Sequence, residues 1–166
     1  MADPSKLERS DLWTADLRSR LDELLDAYRA LLHDSLDGLT EEEARRRLVP
    51  SKTTLLGLVK HVTYVEGVWF DQAFSGRSYA EIGIPTTPAK SFTLTKDDTI
   101  ASVQAAHRRR CELSRRTMAA LSLDAVVDGR GPRPVWALQL QVLRELAQHA
   151  GHADILREQI LDQRGD

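Results

Sequence analysis

Apolar residues recur at steps of three and four through four long stretches of this chain, a period that gathers them on one face only if each stretch is helical. The first runs from Trp13 to about His33, with Leu17, Leu21, Leu24, Leu25, Tyr28, Leu31 and Leu32 in phase and Thr14 as its expected N-cap. The second, "SKTTLLGLVKHVTYVEGVWFDQAF", opens at Ser51 and stops at Ser75-Gly76. It is rich in β-branched residues, yet it is too long for a strand and keeps the helical spacing. Thr95 is the expected cap of the third, "TKDDTIASVQAAHRRRCELSRRTMAALS", where Asp97 and Asp98 precede the arginines in the order the helix dipole favours. The fourth spans about Val135 to Gln163. Four long helices without a convincing strand define the expected fold class: all-α, a four-helix bundle.

The segments between the helices add detail. Thr40 and Glu43 in "LTEEEARRRLVP" form a capping box, so a short extra helix ending before Pro50 is expected on the rim. Residues 76–94, "GRSYAEIGIPTTPAKSFTL", mix Gly, Pro and Thr with isolated apolar residues and read as a long crossover connection. "LDAVVDGRGPRPV" reads as a turn-rich link. A chain of 166 residues is the size of one domain, so residues 1–166 are expected to form a single bundle, with 1–12 as a loose N-terminal segment.

Bulk charge and cysteine content narrow the partners. The 23 basic and 25 acidic residues nearly cancel, to a net −2, and no overall field draws the chain to nucleic acid or to an anionic membrane. The start, "MADPSKLERSDLW", lacks the apolar core of a signal peptide, and no apolar run nears the roughly 18 residues of a membrane span. The single cysteine, Cys111, excludes an internal disulfide and suits a reducing compartment. A cytoplasmic protein with no nucleic-acid and no membrane partner is expected.

One helix breaks the apolar pattern. In the stretch around "ELAQHAGHADILRE" the stripe predicted as buried runs Leu138, Gln141, Glu145, His149, His152 and Leu156, so a carboxylate and two imidazoles stand where leucines would. Glu145 and His149, four apart, project from one face one turn apart and can share an ion. His61 is the matching third donor, because its neighbours at helical spacing, Leu58, Val65 and Val68, are all apolar and turn its face inward. A buried carboxylate is costly unless paired or metal-bound; a hydrogen-bonded polar core is the alternative for these residues. One Glu and two His with an open position match catalytic zinc better than a closed structural site, and the same donors take nickel, iron or manganese. His152 could serve as a ligand, as a hydrogen-bonded support for one, or as a proton shuttle.

Two stretches, "TLLGLVKHVTYVEGVWF" at 54–70 and "ELAQHAGHADILRE" at 145–158, resemble the signature helices of the DinB/YfiT-like superfamily, most closely its actinobacterial branch related to the mycothiol-dependent maleylpyruvate isomerases. The resemblance covers about Leu17 to Leu161. It implies a metal-binding four-helix bundle with one long crossover, the metal triad falling on His61 in "GLVKH" and on Glu145 and His149 in the last helix. It further implies a divalent metal, zinc first, a low-molecular-weight thiol such as mycothiol, and a homodimer. Glu-x-x-x-His follows the isomerase-like members, where others have His-x-x-x-His. Where the branch carries a histidine one turn before the glutamate, this chain has Gln141; the branch shares the residue at His152.

The expected function is therefore a metal-dependent enzyme acting on a small molecule, activating a low-molecular-weight thiol or water for S-transfer, isomerisation or hydrolysis. The alternative is a non-catalytic metal-binding or dimerising bundle with a stress-related role, and a thiol-sized pocket beside the site separates the two. Elsewhere, the run "HRRRCELSRR", including His107, reads as a solvated basic face rather than an anion-binding rim, with Cys111 as a small buried thiol. Asp154 and Arg157 read as an i,i+3 pair. Trp69, Phe70, Phe74 and Trp136 read as core or subunit-interface aromatics.

Overall fold

Asp16, not Thr14, starts the first helix. Its carboxylate accepts the Ser19 backbone N–H at 3.1 Å, and α1 (Leu17–Asp34) follows. The computed structural model describes residues 13–165, so the expectation for residues 1–12 lies outside the described residues. The capping box of Thr40 and Glu43 forms as the sequence requires, but α2 (Glu41–Ala44) is a single turn. The arginines that follow hold neighbouring segments instead of lengthening it: Arg45 donates to the Thr95 and Asp98 carbonyls, Arg46 to Gln163 and Arg47 to the Pro50 and Ser51 carbonyls.

Thr54 caps α3 (Leu55–Gly67) by accepting from Gly57 N–H, three residues later than the expected opening at Ser51. The helix continues through a π-helical turn, Val68–Gln72, into α4 (Ala73–Ser75). It stops at Gly76, whose φ of 69° is the left-handed conformation that favours glycine at a helix end. The crossover is more ordered than its composition suggests. It contains α5 (Tyr79–Ile82), closed by a Ser78–Glu81 capping box, and α6 (Pro88–Ser91), capped by Thr87 with Pro88 in the first turn.

α7 (Ile100–Ala119) begins after Thr99, which accepts from Ser102 N–H. The expected cap, Thr95, instead joins Asp98 in the turn before the helix, the Asp98 carboxylate accepting from Thr95 N–H and Oγ–H. The link to the last helix holds a two-stranded antiparallel ladder, β1 (Val126–Val127) with β2 (Arg133–Pro134), where no strand was expected. α8 (Val135–Asp162) then runs almost as its periodicity requires.

The fold is an all-α bundle in which α3 packs against both α7 and α8, and α1 lies along α8. Leu25, Leu32, Leu55, Leu58, Val62, Phe70, Leu138, Val142, Leu146 and Ile160 fill its centre. Each such large side chain contributes about 1.5–3 kcal/mol by leaving water. None of the described helices is long and apolar enough to cross a membrane.

Three expectations about faces change. "HRRRCELSRR" is not wholly a solvated face: Val103, His107, Cys111, Ser114 and Met118, at steps of four and three, are buried, and Cys111 is the buried thiol expected. The polar stripe of α8 straddles the edge of the core, with Leu138, His149 and Leu156 buried, Gln141 and Glu145 half-buried and His152 exposed. The fully buried polar side chain of α8 is Gln139, whose amide donates to Asp22 at 2.8 Å. Among the aromatics Phe70 is core, Trp69 and Phe74 are half-buried, and Trp136 is 42% exposed. Arg157, expected to pair with Asp154, donates to the Ser35 and Asp37 carbonyls, tying α8 to the end of α1.

Candidate metal centre

His61 sits in the middle of α3 with 6% of its surface exposed, and α8 brings Glu145 and His149 opposite it. One ligand atom from each of the three lies within 4.8 Å of the others. The rings of His61 and His149 are 4.8 Å apart and nearly perpendicular, at 82°. The positions singled out from helical spacing on two distant segments thus converge in space.

The tautomer of His61 follows from its surroundings. Its Nδ1 is 2.6 Å from Ser91 Oγ, and that hydroxyl donates its only proton to the Pro88 carbonyl at 2.5 Å. Nδ1 must therefore be the donor, which leaves the lone pair on Nε2. Phe92, next in the chain, stacks on the imidazole with ring centres 3.9 Å apart. Gly57, one turn before His61, permits this approach. A Cβ there would stand 3.1 Å from the Phe92 carbonyl oxygen and 3.0 Å from Thr54 Oγ.

Glu145 is oriented from its outer side. Gln141 Nε2 donates to Oε1 at 3.0 Å and Arg144 donates to the same oxygen at 2.8 Å, so Oε2 is the atom facing His149 Nε2, 3.7 Å away. Gln141 is thus a support for the carboxylate. His149 itself is buried, its Nδ1 has no hydrogen-bond partner, and its Nε2 is beyond hydrogen-bond reach of the carboxylate. A buried nitrogen with no hydrogen-bond partner, as at Nδ1, is costly.

Electrostatics keep both imidazoles neutral. Burial, reinforced by His149, pushes His61 down to about 4. Burial also lowers His149, with Glu145 pulling the other way and His152 adding to the lowering. Neutral imidazoles beside one carboxylate are the protonation states that a divalent cation needs from its ligands. The donor set and the fixed Nδ1–H of His61 both fit such an ion. His152 is exposed, its ring 5.7 Å from that of His149 at 60°.

A second group of potential ligands, Glu66, His107 and Cys111, is also close together and wholly buried. Here the carboxylate is already neutralised: Arg29 clasps it through Nε at 2.6 Å and a terminal nitrogen at 3.0 Å. Burial first, and the Glu66 charge second, push the Cys111 thiol far above its ordinary range, so it stays protonated and points its S–H at Glu66, 3.7 Å away. This group is a charge-paired core cluster.

Two residues of the candidate centre escaped sequence reasoning. Ser91 and Phe92 belong to no long periodic segment, and only the Thr87–Pro88 helix start hints that the crossover turns back there.

A family model described as mycothiol-S-transferase matches residues 20–162. The chain belongs to the mycothiol-S-transferase family. A comparison with curated proteins finds no match. The matched region of the mycothiol-S-transferase model takes in both α3 and α8, and with them every residue of the convergence at His61.

Proposed function

We propose that the protein is a metal-dependent thiol S-transferase that joins a low-molecular-weight thiol of the mycothiol type to a small electrophile, with His61, Glu145 and His149 as the metal ligands. The observation that carries this reading is the approach of those three side chains to within 4.8 Å, with His61 presenting Nε2 because Ser91 holds its other nitrogen. Family membership supports the thiol.

A divalent cation held there, zinc first and nickel, iron or manganese by the same donors, supplies Lewis acidity that favours thiolate over thiol at neutral pH. Three protein donors are one fewer than the four that close a structural zinc site. Every other task falls to side chains. Ser91 and Gln141 aim the donors, and Phe92 keeps water from one face of His61. His152 accepts the proton that leaves the thiol. The sulfur lone pair then forms the bond to the electrophilic carbon, and the leaving group departs with its bonding pair. The buried, reduced Cys111 fits a cytoplasmic setting in which such a thiol stays reduced.

Elemental analysis of protein purified without an affinity tag or chelator tests the reading, alongside His61→Ala. About one equivalent of zinc or nickel per chain, lost in the variant, is expected. No metal after incubation with several divalent ions would mean that these residues form a polar core network without a cofactor.

A further inference from the structure

The two ends of the candidate centre differ in character. Toward the start of α8 it is polar, with Gln141 and Arg144 on Glu145. Toward the other end stands His152, and beyond it opens a cavity of about 370 Å³ between α8 and the segment that leads into α3. Its walls are Val49, Ser51, Thr53, His152, Ile155, Leu156 and Gln159, apolar side chains with uncharged polar ones between them, and no Asp, Glu, Lys or Arg lines it. Three other cavities each have acids and bases in their lining. At the mouth, Ile155 is 57% and Val49 37% exposed.

The size lies within the range of small-molecule pockets. The lining decides the class of occupant. A charged group would lose its water and find no counter-charge here, whereas an apolar group leaves water at a gain. His149 and Leu156 are two helical turns apart, so the cavity floor lies about 10 Å from the metal ligand. His152 stands between them, its ring 5.7 Å from that of His149.

We propose that this cavity is the acceptor subsite, taking the apolar, uncharged body of the electrophile and presenting its reactive carbon at His152. The assignment rests on the thiol-transfer reading above. The hydrophilic thiol is left the polar end, beside Arg144 and Gln141. With a maleimide as acceptor the step is an addition. His152 takes the thiol proton, the sulfur bonds one alkene carbon, and the proton returns to the adjacent carbon as the double bond is lost.

The test separates binding from chemistry. N-alkylsuccinimides from ethyl to hexyl, which cannot react, are titrated by saturation-transfer NMR against protein stripped with EDTA and against zinc-loaded protein. Affinity is expected to rise by up to about fourfold per buried methylene, to fall at least tenfold in Ile155→Asp, and to hold in Leu113→Asp, a change at an exposed leucine of α7. Affinity independent of chain length, or unchanged in Ile155→Asp, overturns the subsite. So does binding that weakens as protein concentration rises and dimer forms, which would give this face to a second copy.

Conjugation of mycothiol to N-ethylmaleimide and N-hexylmaleimide by the zinc-loaded protein is then compared. A preference of about tenfold in kcat/KM for the hexyl compound, lost in Ile155→Asp, is expected. Conjugation without that preference overturns the subsite and spares the transferase. Chain-length-dependent binding with no conjugation overturns the transferase reading and the acceptor role with it.

Discussion

Nδ1 of His61, in the middle of α3, lies 2.6 Å from Oγ of Ser91, the last residue of a one-turn helix in the crossover. Because the Ser91 hydroxyl is committed to the Pro88 carbonyl, this contact fixes which imidazole nitrogen carries the proton. A residue of the crossover thereby determines what a residue of α3 can offer an ion.

Ser91→Ala should leave the bundle folded and weaken metal binding by about 10–100-fold, the usual effect of removing a hydrogen-bond partner of a ligand histidine. Competition with a coloured chelator measures the affinity, and circular dichroism checks the fold. Wild-type affinity in the variant would show that the tautomer of His61 does not depend on Ser91.

Glu145→Gln keeps the shape of the side chain and removes its charge. Since Gln141 and Arg144 both donate to the carboxylate, the amide also sets donor against donor if its nitrogen faces them. Loss of stoichiometric metal is expected, with a melting temperature close to that of the metal-free wild type. Metal content by mass spectrometry decides it.

The Arg29–Glu66 pair makes a prediction about stability alone. Glu66 is 0% and Arg29 5% exposed, so removing one partner strands a charge. Arg29→Met should cost about 3–5 kcal/mol. Arg29→Met with Glu66→Leu should recover most of that loss. Urea titrations of the four proteins in the cycle measure the coupling, and a double variant no better than Arg29→Met would contradict the account.

His107 gives a pH dependence whose sign can be worked out. Burial holds it at about 4 in the folded chain, with Glu66 opposing only in part, against 6.5 in a free chain. Between those values the unfolded chain binds more protons, so acidification from 6.5 towards 4 lowers stability. The contribution is fully present above 6.5 and on the order of 3 kcal/mol. Metal-free wild type and His107→Gln, compared by denaturant titration at pH 7 and pH 4.5, should show a smaller acid loss in the variant. Equal losses would assign the acid sensitivity to other groups.

Helix starts offer a finer check. Thr99→Ala removes the cap that accepts from Ser102 and should cost about 1 kcal/mol, and Thr95→Ala less, because Thr95 lies outside α7. Thermal melts of the two variants rank them.

The long helices were legible because apolar periodicity extends over many residues, and the convergence of His61, Glu145 and His149 was legible because each interrupts an apolar face. The starts of α1 and α7 were misplaced for a local reason. Thr14, Asp16, Thr95 and Thr99 are all competent caps, and only the hydrogen bonds made by Asp16 and Thr99 choose among them. Ser91 was invisible because its role comes from where the crossover passes, and nothing in its immediate neighbours fixes that path. The buried face of α7 was obscured by arginines flanking His107 and Cys111, although the step of four between those two carried the signal.

The crossover's hold on His61 also makes it a gauge. Phe92 and Ser91 touch the imidazole, Lys60 donates to the Thr93 carbonyl at 3.0 Å, and Phe92 packs against the core. Anything that strengthens the grip on His61 should quieten the backbone of residues 88–93, and anything that loosens it should let those amides exchange with solvent. Deuterium uptake in that one peptide would then report the occupancy of the centre without any probe of the ion itself.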